Sequence, residues 1–298
     1  MSPKKRKCLE IVWDTSTYGS EIMSSEFAED LKAFFRDLLR REFGDDIRKD
    51  IRDFRENMIG LRKNPNYYKA LERILDLIVT NSWWRPLPRD VRREYERQIS
   101  AYHGKFGDDG FRTDEGKEKL SSIVNRFATS NRKKAVRKIS KLIEILIDRD
   151  ITISDWTKSL YGLAKDRKTE ILGDKGRDNY LRDFGYFDRA PLDRHEWRFI
   201  VRTGIFHCYA KRDESDPQDR DHLQAALVNF CNKQLEGFEV EEINNYLGQR
   251  LDLGKNAGMV DLFIWSYNAD ERYHICGKTP RCRQCSLNGS CMFARMRA

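Results

Sequence analysis

Cys276, Cys282, Cys285 and Cys291 fall within sixteen residues near the end of the chain, interleaved with Lys278, Arg281 and Arg283. Four thiolates held so closely are a ligand set for a soft metal centre, because sulfur suits zinc, copper(I) or iron-sulfur and suits hard cations poorly. Structural zinc sites are usually built from two close cysteine pairs. Here only Cys282 and Cys285 form such a pair, with five residues between it and each outer cysteine. A cluster with separated corners accepts that wide-narrow-wide spacing more readily than a single ion does, so a 4Fe-4S cluster is expected ahead of zinc. Disulfides are a weaker reading: 298 residues can bury a core without them, and the cysteine count, seven, is odd.

A second constellation lies about a hundred residues earlier. In Ile171-Leu172-Gly173-Asp174-Lys175-Gly176-Arg177, two glycines bracket a lysine in what reads as a tight turn entering a helix with Tyr180, Leu181 and Phe184 on its buried side. Glycine permits close backbone approach, so the exposed amides of such a turn can meet a phosphate. Ala190-Pro191-Leu192-Asp193-Arg194-His195 follows as a short loop ahead of the next helix, placing a carboxylate eighteen positions after Lys175. Each residue also has a plain structural reading. A lysine in a glycine turn is commonly a solvated charge, Asp193 suits the cap of a helix running through Trp197, and His195 suits packing.

The elements that must position these groups read as helices. Phe27, Leu31, Phe34, Phe35 and Leu38 recur at helical spacing and predict a helix to about Arg41. Gly44 and the charged stretch 45–55 then lead to a second stripe at Tyr68, Leu71, Ile74, Leu75 and Ile78, ending near Asn81-Ser82-Trp83-Trp84-Arg85-Pro86, where Pro86 disfavours helix at the residue before it. Residues 104–116, with four glycines and several aspartates, read as a loop. Ala135, Ile139, Leu142, Ile143 and Leu146 form another apolar stripe, and further helices are expected around 197–201, 223–230 and 259–263. No alternating strand pattern or internal repeat occurs, so the expected fold class is all-α.

Composition bounds the partners. Lys+Arg 56 against Asp+Glu 48 gives a net +8, and the pI is near 9.0. That balance permits a polyanion partner without proving one. The opening Pro3-Lys4-Lys5-Arg6-Lys7 is basic, but the apolar stretch after it is too short and too soon interrupted by charge for a signal-peptide core. With no transmembrane run, an intracellular location is expected, where thiols stay reduced.

Taken together, the two constellations resemble the helix-hairpin-helix DNA glycosylases of the endonuclease III type. In that family a Gly-x-Lys hairpin element carries a catalytic lysine, a Pro-x-Asp loop supplies a catalytic aspartate, and four cysteines near the end hold a 4Fe-4S cluster. Gly173-Asp174-Lys175, then Pro191-Leu192-Asp193 with His195, then the four cysteines match in the family's order. Asn131-Arg132-Lys133-Lys134-Ala135 looks like the segment leading into the hairpin, and the resemblance spans about residues 68–295. Leu181-Arg182-Asp183-Phe184-Gly185-Tyr186 and Leu192-Asp193-Arg194-His195 also look like archaeal 8-oxoguanine glycosylases of the same superfamily.

The resemblance implies two helical domains: 20–67 plus 188–298 carrying the cluster loop, and 68–187 as a helical barrel ending in the helix-hairpin-helix, after a basic tail over 1–19. It implies Lys175 and Asp193 as catalytic. Gly173, Gly176, Arg177, Lys278 and Arg281 are expected DNA contacts, while Asn81, Trp83 and Trp84 are candidates for filling the space left by a flipped base. The implied reaction is base excision with strand nicking: the neutral Lys175 amine attacks C1′, a Schiff base forms, and β-elimination follows, with Asp193 stabilising positive charge on the sugar. The expected partner is double-stranded DNA containing a damaged or mismatched base, bound by a monomer away from any membrane. Mismatch-specific thymine or uracil removal, a non-catalytic iron-sulfur DNA-binding module and a zinc-stabilised helical interaction domain remain the alternatives. In every DNA-binding version the cysteines act as a clamp, since all four ligand positions are taken by protein.

Overall fold

The computed structural model describes residues 20–40, 44–80, 87–129, 131–163, 171–205, 217–269, 275–277 and 279–295. Among these residues all regular structure is helical, in line with the all-α expectation. The chain divides into two compact units, one made of 1–52 and 187–298 and the other of 53–186.

Helix α1 (Ser20–Leu38) starts before the expected stripe and ends three residues short of Arg41. Its Phe27, Leu31, Phe34, Phe35 and Leu38 are buried, as their spacing requires. Helix α2 (Gly44–Lys63) corrects the reading of 45–55 as a mere charged connection. Ile47, Ile51, Phe54 and Leu61 lie buried along one side of it at helical spacing. Asp45 and Asp46 in its first turn and Arg62 and Lys63 in its last complement the helix dipole. Charge therefore hid this helix without opposing it. The division between units falls within it, after Arg52.

The 53–186 unit continues with α3 (Tyr68–Thr80), α4 (Arg89–Phe106), α5 (Asp114–Phe127), α6 (Arg132–Asp148), α7 (Ile153–Tyr161) and α8 (Asp174–Asp183). Leu71, Ile74, Leu75 and Ile78 of α3 join Ile139, Leu142, Ile143 and Leu146 of α6 in one apolar core. Helix α5 packs along α6 and adds Leu120, Ile123, Val124 and Phe127. The 104–116 stretch is not a plain loop: α4 runs to Phe106, a 3-10 turn spans Gly110–Arg112, and α5 opens at Asp114. A Cβ on Gly116 would stand 1.9 Å from the Gly110 carbonyl oxygen, so glycine there serves close packing. Side-chain caps begin three of these helices: Thr113 accepts from Gly116 N–H, Asn131 from Lys134 N–H, and Thr152 from Asp155 N–H.

Helices α7 and α8 pack against each other, with the residues between them, 164–170, outside the described ones. Their contact is fixed by a buried hydrogen bond of 2.8 Å between the Thr157 and Tyr180 hydroxyls. Tyr180 also packs edge-on against Trp156, with ring centroids 5.6 Å apart. Burial pushes the Tyr180 phenol above its ordinary range, so it stays a neutral hydrogen-bonding group.

The other unit adds α9 (Arg194–Thr203), α10 (Pro217–Gln234), α11 (Glu241–Leu247), α12 (Ala257–Ala269) and α13 (Met292–Arg295). Met259, Val260, Leu262, Phe263, Ile264 and Tyr267 make α12 apolar around most of its circumference, which marks it as the central helix of this unit. Phe34 and Phe35 of α1 meet Tyr267 and Phe263 edge-on at 4.7 and 5.1 Å. Glycine at 258 is required by close approach: a Cβ would lie 2.4 Å from the Arg189 carbonyl oxygen. The Gly258 N–H donates to Phe187 O at 2.6 Å, anchoring the loop that leads to Asp193.

Candidate active site

Lys175 belongs to the 53–186 unit and Asp193 to the other. Lys175 sits in the first turn of α8, and Gly176 lies inside the helix; the glycines therefore do not bracket a turn around the lysine, as the sequence suggested. Gly173 is the N-cap, in ordinary extended backbone at φ −71°, and no side chain caps the helix. Its glycine is not needed for conformation, and a Cβ built there would meet nothing within 4 Å. The missing side chain leaves open space in front of a helix N-terminus whose first amides are aimed outward, which is the arrangement that receives an anion. Lys175 is half-buried beside that space.

Arg177 departs from its expected role as a DNA contact. It is only 3% exposed, and its Nε donates to Asp178 at 3.1 Å. Facing into the protein, it balances buried carboxylate charge instead of presenting a guanidinium to the backbone of a nucleic acid. The rest of α8 is unusually polar for a buried helix, with Asp178, Asn179, Arg182 and Asp183 all buried. These groups are tied down locally: Arg182 donates to Asn179 at 3.1 Å, and Asp183 is ion-paired with Arg73 of α3. Arg73 also reaches Asp76 at 3.0 Å, so the helix carrying Lys175 is bound to α3 by charge as well as by packing.

Asp193 is the N-cap of α9. Its Oδ1 accepts from His195 N–H at 2.6 Å. In return Glu196, 1% exposed, accepts from the Asp193 N–H at 2.6 Å, completing a reciprocal capping box. This fixes the carboxylate's position at the positive end of a helix, where negative charge is stabilised. A carboxylate has acceptor capacity beyond the bonds a cap uses. Glu196 is absent from the residues expected at the site, although the Asp193-x-x-Glu196 spacing is the signature of such a box and makes it legible in the sequence.

The four cysteines form no disulfide and are all partly buried. Three observations gather them. Cys285 and Cys282 both push the Cys276 thiol up, disfavouring its ionisation, and Cys276 and Cys285 do the same to Cys291. Burial is the larger cause in each case, and Cys291 is pushed up to about 11. The third observation is Arg202, in the last turn of α9. Its guanidinium donates to Cys276 O at 3.1 Å, Gly277 O at 2.7 Å and Cys276 Sγ at 3.5 Å, while Cys291 Sγ donates to the Arg202 carbonyl at 3.6 Å. The same guanidinium lies over the Phe293 ring of α13, its Cζ 5.2 Å from the ring centroid. Cys231, by contrast, is buried in α10 apart from this set, its thiol pushed up to about 12 by burial, and it is an ordinary core residue.

Among the described residues no group of three or more His, Cys, Asp or Glu is already arranged to hold a metal ion. Four sulfurs are the donor type that a soft centre takes, and Cys276 lies within electrostatic reach of Cys282, Cys285 and Cys291. Arg281 is exposed at the rim of this loop, its N–H donating to Ile275 O at 2.7 Å. Arg202 was missed because nothing in its spacing links it to cysteines seventy residues later. Asn81, Trp83, Trp84 and Lys278, together with the basic tail, lie outside the described residues. No described helix is long and apolar enough to cross a membrane.

No family model and no curated protein matches the chain. Among solved structures it is similar to the 8-oxoguanine DNA glycosylase of Thermotoga maritima, at 17% identity over 83% of this chain and 97% of that one, with a TM-score of 0.46. It is similar to the Methanocaldococcus jannaschii 8-oxoguanine glycosylase/lyase, solved with a 15mer DNA containing 8-oxoguanine, at 18% identity over 82% of this chain and 95% of that one, TM-score 0.43. The M. jannaschii 8-oxoguanine DNA glycosylase is similar at 18% identity over 84% and 95% of the two chains, TM-score 0.44.

Proposed function

We propose that this chain is a DNA base-excision glycosylase with associated AP lyase activity, acting on a damaged base, an oxidised purine in the first instance. The observation that carries the reading is Lys175 in the first turn of α8, beside an N-terminus that Gly173 leaves open to an anion. Asp193 follows at the spacing of the glycosylase motif, and the cysteines follow in the same order.

In this reading the open amides of α8 hold a backbone phosphate and set the target sugar against Lys175. The neutral Lys175 amine attacks C1′, and the N-glycosidic electron pair leaves with the base. Asp193, fixed by its capping box, stabilises positive charge developing on the sugar and takes a proton from the attached amine; the C1′–O4′ bond then breaks, its electron pair and that proton go to O4′, and the nitrogen lone pair forms the iminium. The resulting Schiff base acidifies the neighbouring C2′ proton; its removal expels the 3′ phosphate and nicks the strand. A 4Fe-4S cluster held by Cys276, Cys282, Cys285 and Cys291 would supply a rigid anchor for its loop. Arg202 would bind that loop to α9, the helix Asp193 caps, so that Arg281 and Lys278 meet the DNA backbone from a fixed base.

The test is a cleavage assay over a panel of duplexes, each with one lesion or mismatch, read with and without a separate strand-scission step. Release of an oxidised base with nicking supports the reading, and release of thymine or uracil from mismatches moves the substrate class. Salt-dependent binding with no base release on any duplex would contradict it and leave a non-catalytic DNA-binding module.

A further inference from the structure

A cavity of about 280 Å³ opens between α3, α4 and the C-terminal half of α2, within the 53–186 unit. Five acidic and three basic side chains line it, a formal balance of −2 on a chain whose total is +8. Such a wall repels phosphodiesters and attracts cations, so it is not an extension of a DNA-binding face.

The cations in the wall are largely committed. Arg73 is held between Asp183 and Asp76, and Arg92 reaches Asp76 at 3.4 Å and Glu96 at 3.8 Å. Glu72 has no salt bridge among the described residues, and burial pushes its carboxyl up, Lys69 opposing and Asp76 and Glu96 adding to the rise. The second observation is Tyr95, 2% exposed, which lines the cavity and whose hydroxyl has no hydrogen-bond partner among the described residues. Tyr95 shares the cavity wall with Asp76, Glu72, Arg92 and Arg73, the charged groups that act on its phenol. A buried hydroxyl left unpaired costs free energy that a ligand hydrogen bond would recover.

A metal ion does not suit this cavity. No three carboxylates converge on a point among the described residues. Its volume is many times the roughly 30 Å³ that one water occupies. An organic ammonium fits better, because each NH3+ offers three donors, enough to reach a carboxylate and a phenol oxygen together. We infer that this cavity binds a small aliphatic diammonium ion, one end donating to Glu72 and the Tyr95 hydroxyl and the other to the remaining acidic wall.

The experiment is calorimetric titration of the full chain with putrescine at constant ionic strength, repeated for Glu72→Gln and Tyr95→Phe and with magnesium as competitor. Saturable one-to-one binding is expected, weakened about tenfold or more by Glu72→Gln and several-fold by Tyr95→Phe, with magnesium failing to displace the diamine. Absence of saturable binding at millimolar diamine overturns the inference, as does equal affinity in both variants or stoichiometric displacement by magnesium. Should Glu72→Gln lose its helical circular dichroism, Tyr95→Phe decides alone, because it keeps the ring and removes only the oxygen. Base release from DNA does not enter the readout, so this result and the glycosylase reading fail separately.

Discussion

Helices α8 and α9 begin in opposite ways. At α8 the N-cap is a glycine without a side-chain bond, and open space lies in front of it. At α9 the N-cap is Asp193, locked with Glu196 in a reciprocal box that uses both backbone donors and the carboxylate. A helix start left open at its own energetic cost is poised for an outside partner, whereas a closed one serves first to hold its shape. The difference separates two demands on the proposed chemistry. A backbone phosphate needs the open terminus, and a charge that must not move needs the closed one.

The largest expected effect comes from separating the charge of Asp193 from its cap. Asparagine caps a helix about as well as aspartate, so Asp193→Asn should keep the melting temperature and DNA binding while base release falls by orders of magnitude. Thermal melting beside single-turnover base release checks this; equal loss in both would mean that the residue is only a cap. Next in size is Arg202→Met. Removing a donor from the Cys276 and Gly277 carbonyls should cost about 1–3 kcal/mol and loosen the cysteine loop. Denaturant unfolding measures the first, and iron and sulfide content after purification measures the second. A retained cluster at unchanged stability would deny Arg202 that anchoring role.

Smaller again is Asp193→Ala, which removes cap and charge together. It should lower stability by about 1 kcal/mol relative to Asp193→Asn, a shift of a few degrees in melting temperature. Gly173→Ala is the smallest in stability and the most informative about α8. A Cβ fits there without a clash, so the loss should stay below about 1 kcal/mol, alanine being the poorer N-cap. DNA binding should nevertheless weaken several-fold, since the new methyl stands where a phosphate would approach. Unchanged affinity would mean that the open terminus has no partner.

Some of this organisation could be read directly. The stripes of α3 and α6 and the start of α6 at Asn131 appear as apolar spacing and a cap residue, and both became core helices. Helix α2 was hidden because lysines, arginines and aspartates outnumber its apolar residues, although Ile47, Ile51 and Phe54 already held helical register. The 104–116 glycines looked like loop signals because sequence does not distinguish a glycine that frees the backbone from one that admits a close neighbour, as Gly116 admits the Gly110 carbonyl and Gly110 the Phe106 and Tyr102 side chains. The same ambiguity misplaced Lys175 in a turn. Arg177 was read by its neighbours in sequence, yet its surroundings are set by burial in the fold, which turns it toward Asp178. Arg202 and the cysteines meet only through tertiary packing, which no local pattern announces.

The central claim is that the Lys175 amine is the nucleophile. Borohydride reduction of the protein with a lesion-containing duplex tests it most directly, because reduction makes a Schiff base permanent. A covalent protein-DNA adduct is expected for the unaltered chain, with the modified peptide carrying Lys175, and none for Lys175→Gln. An adduct of equal yield in Lys175→Gln, or one mapped to another lysine, would contradict the claim.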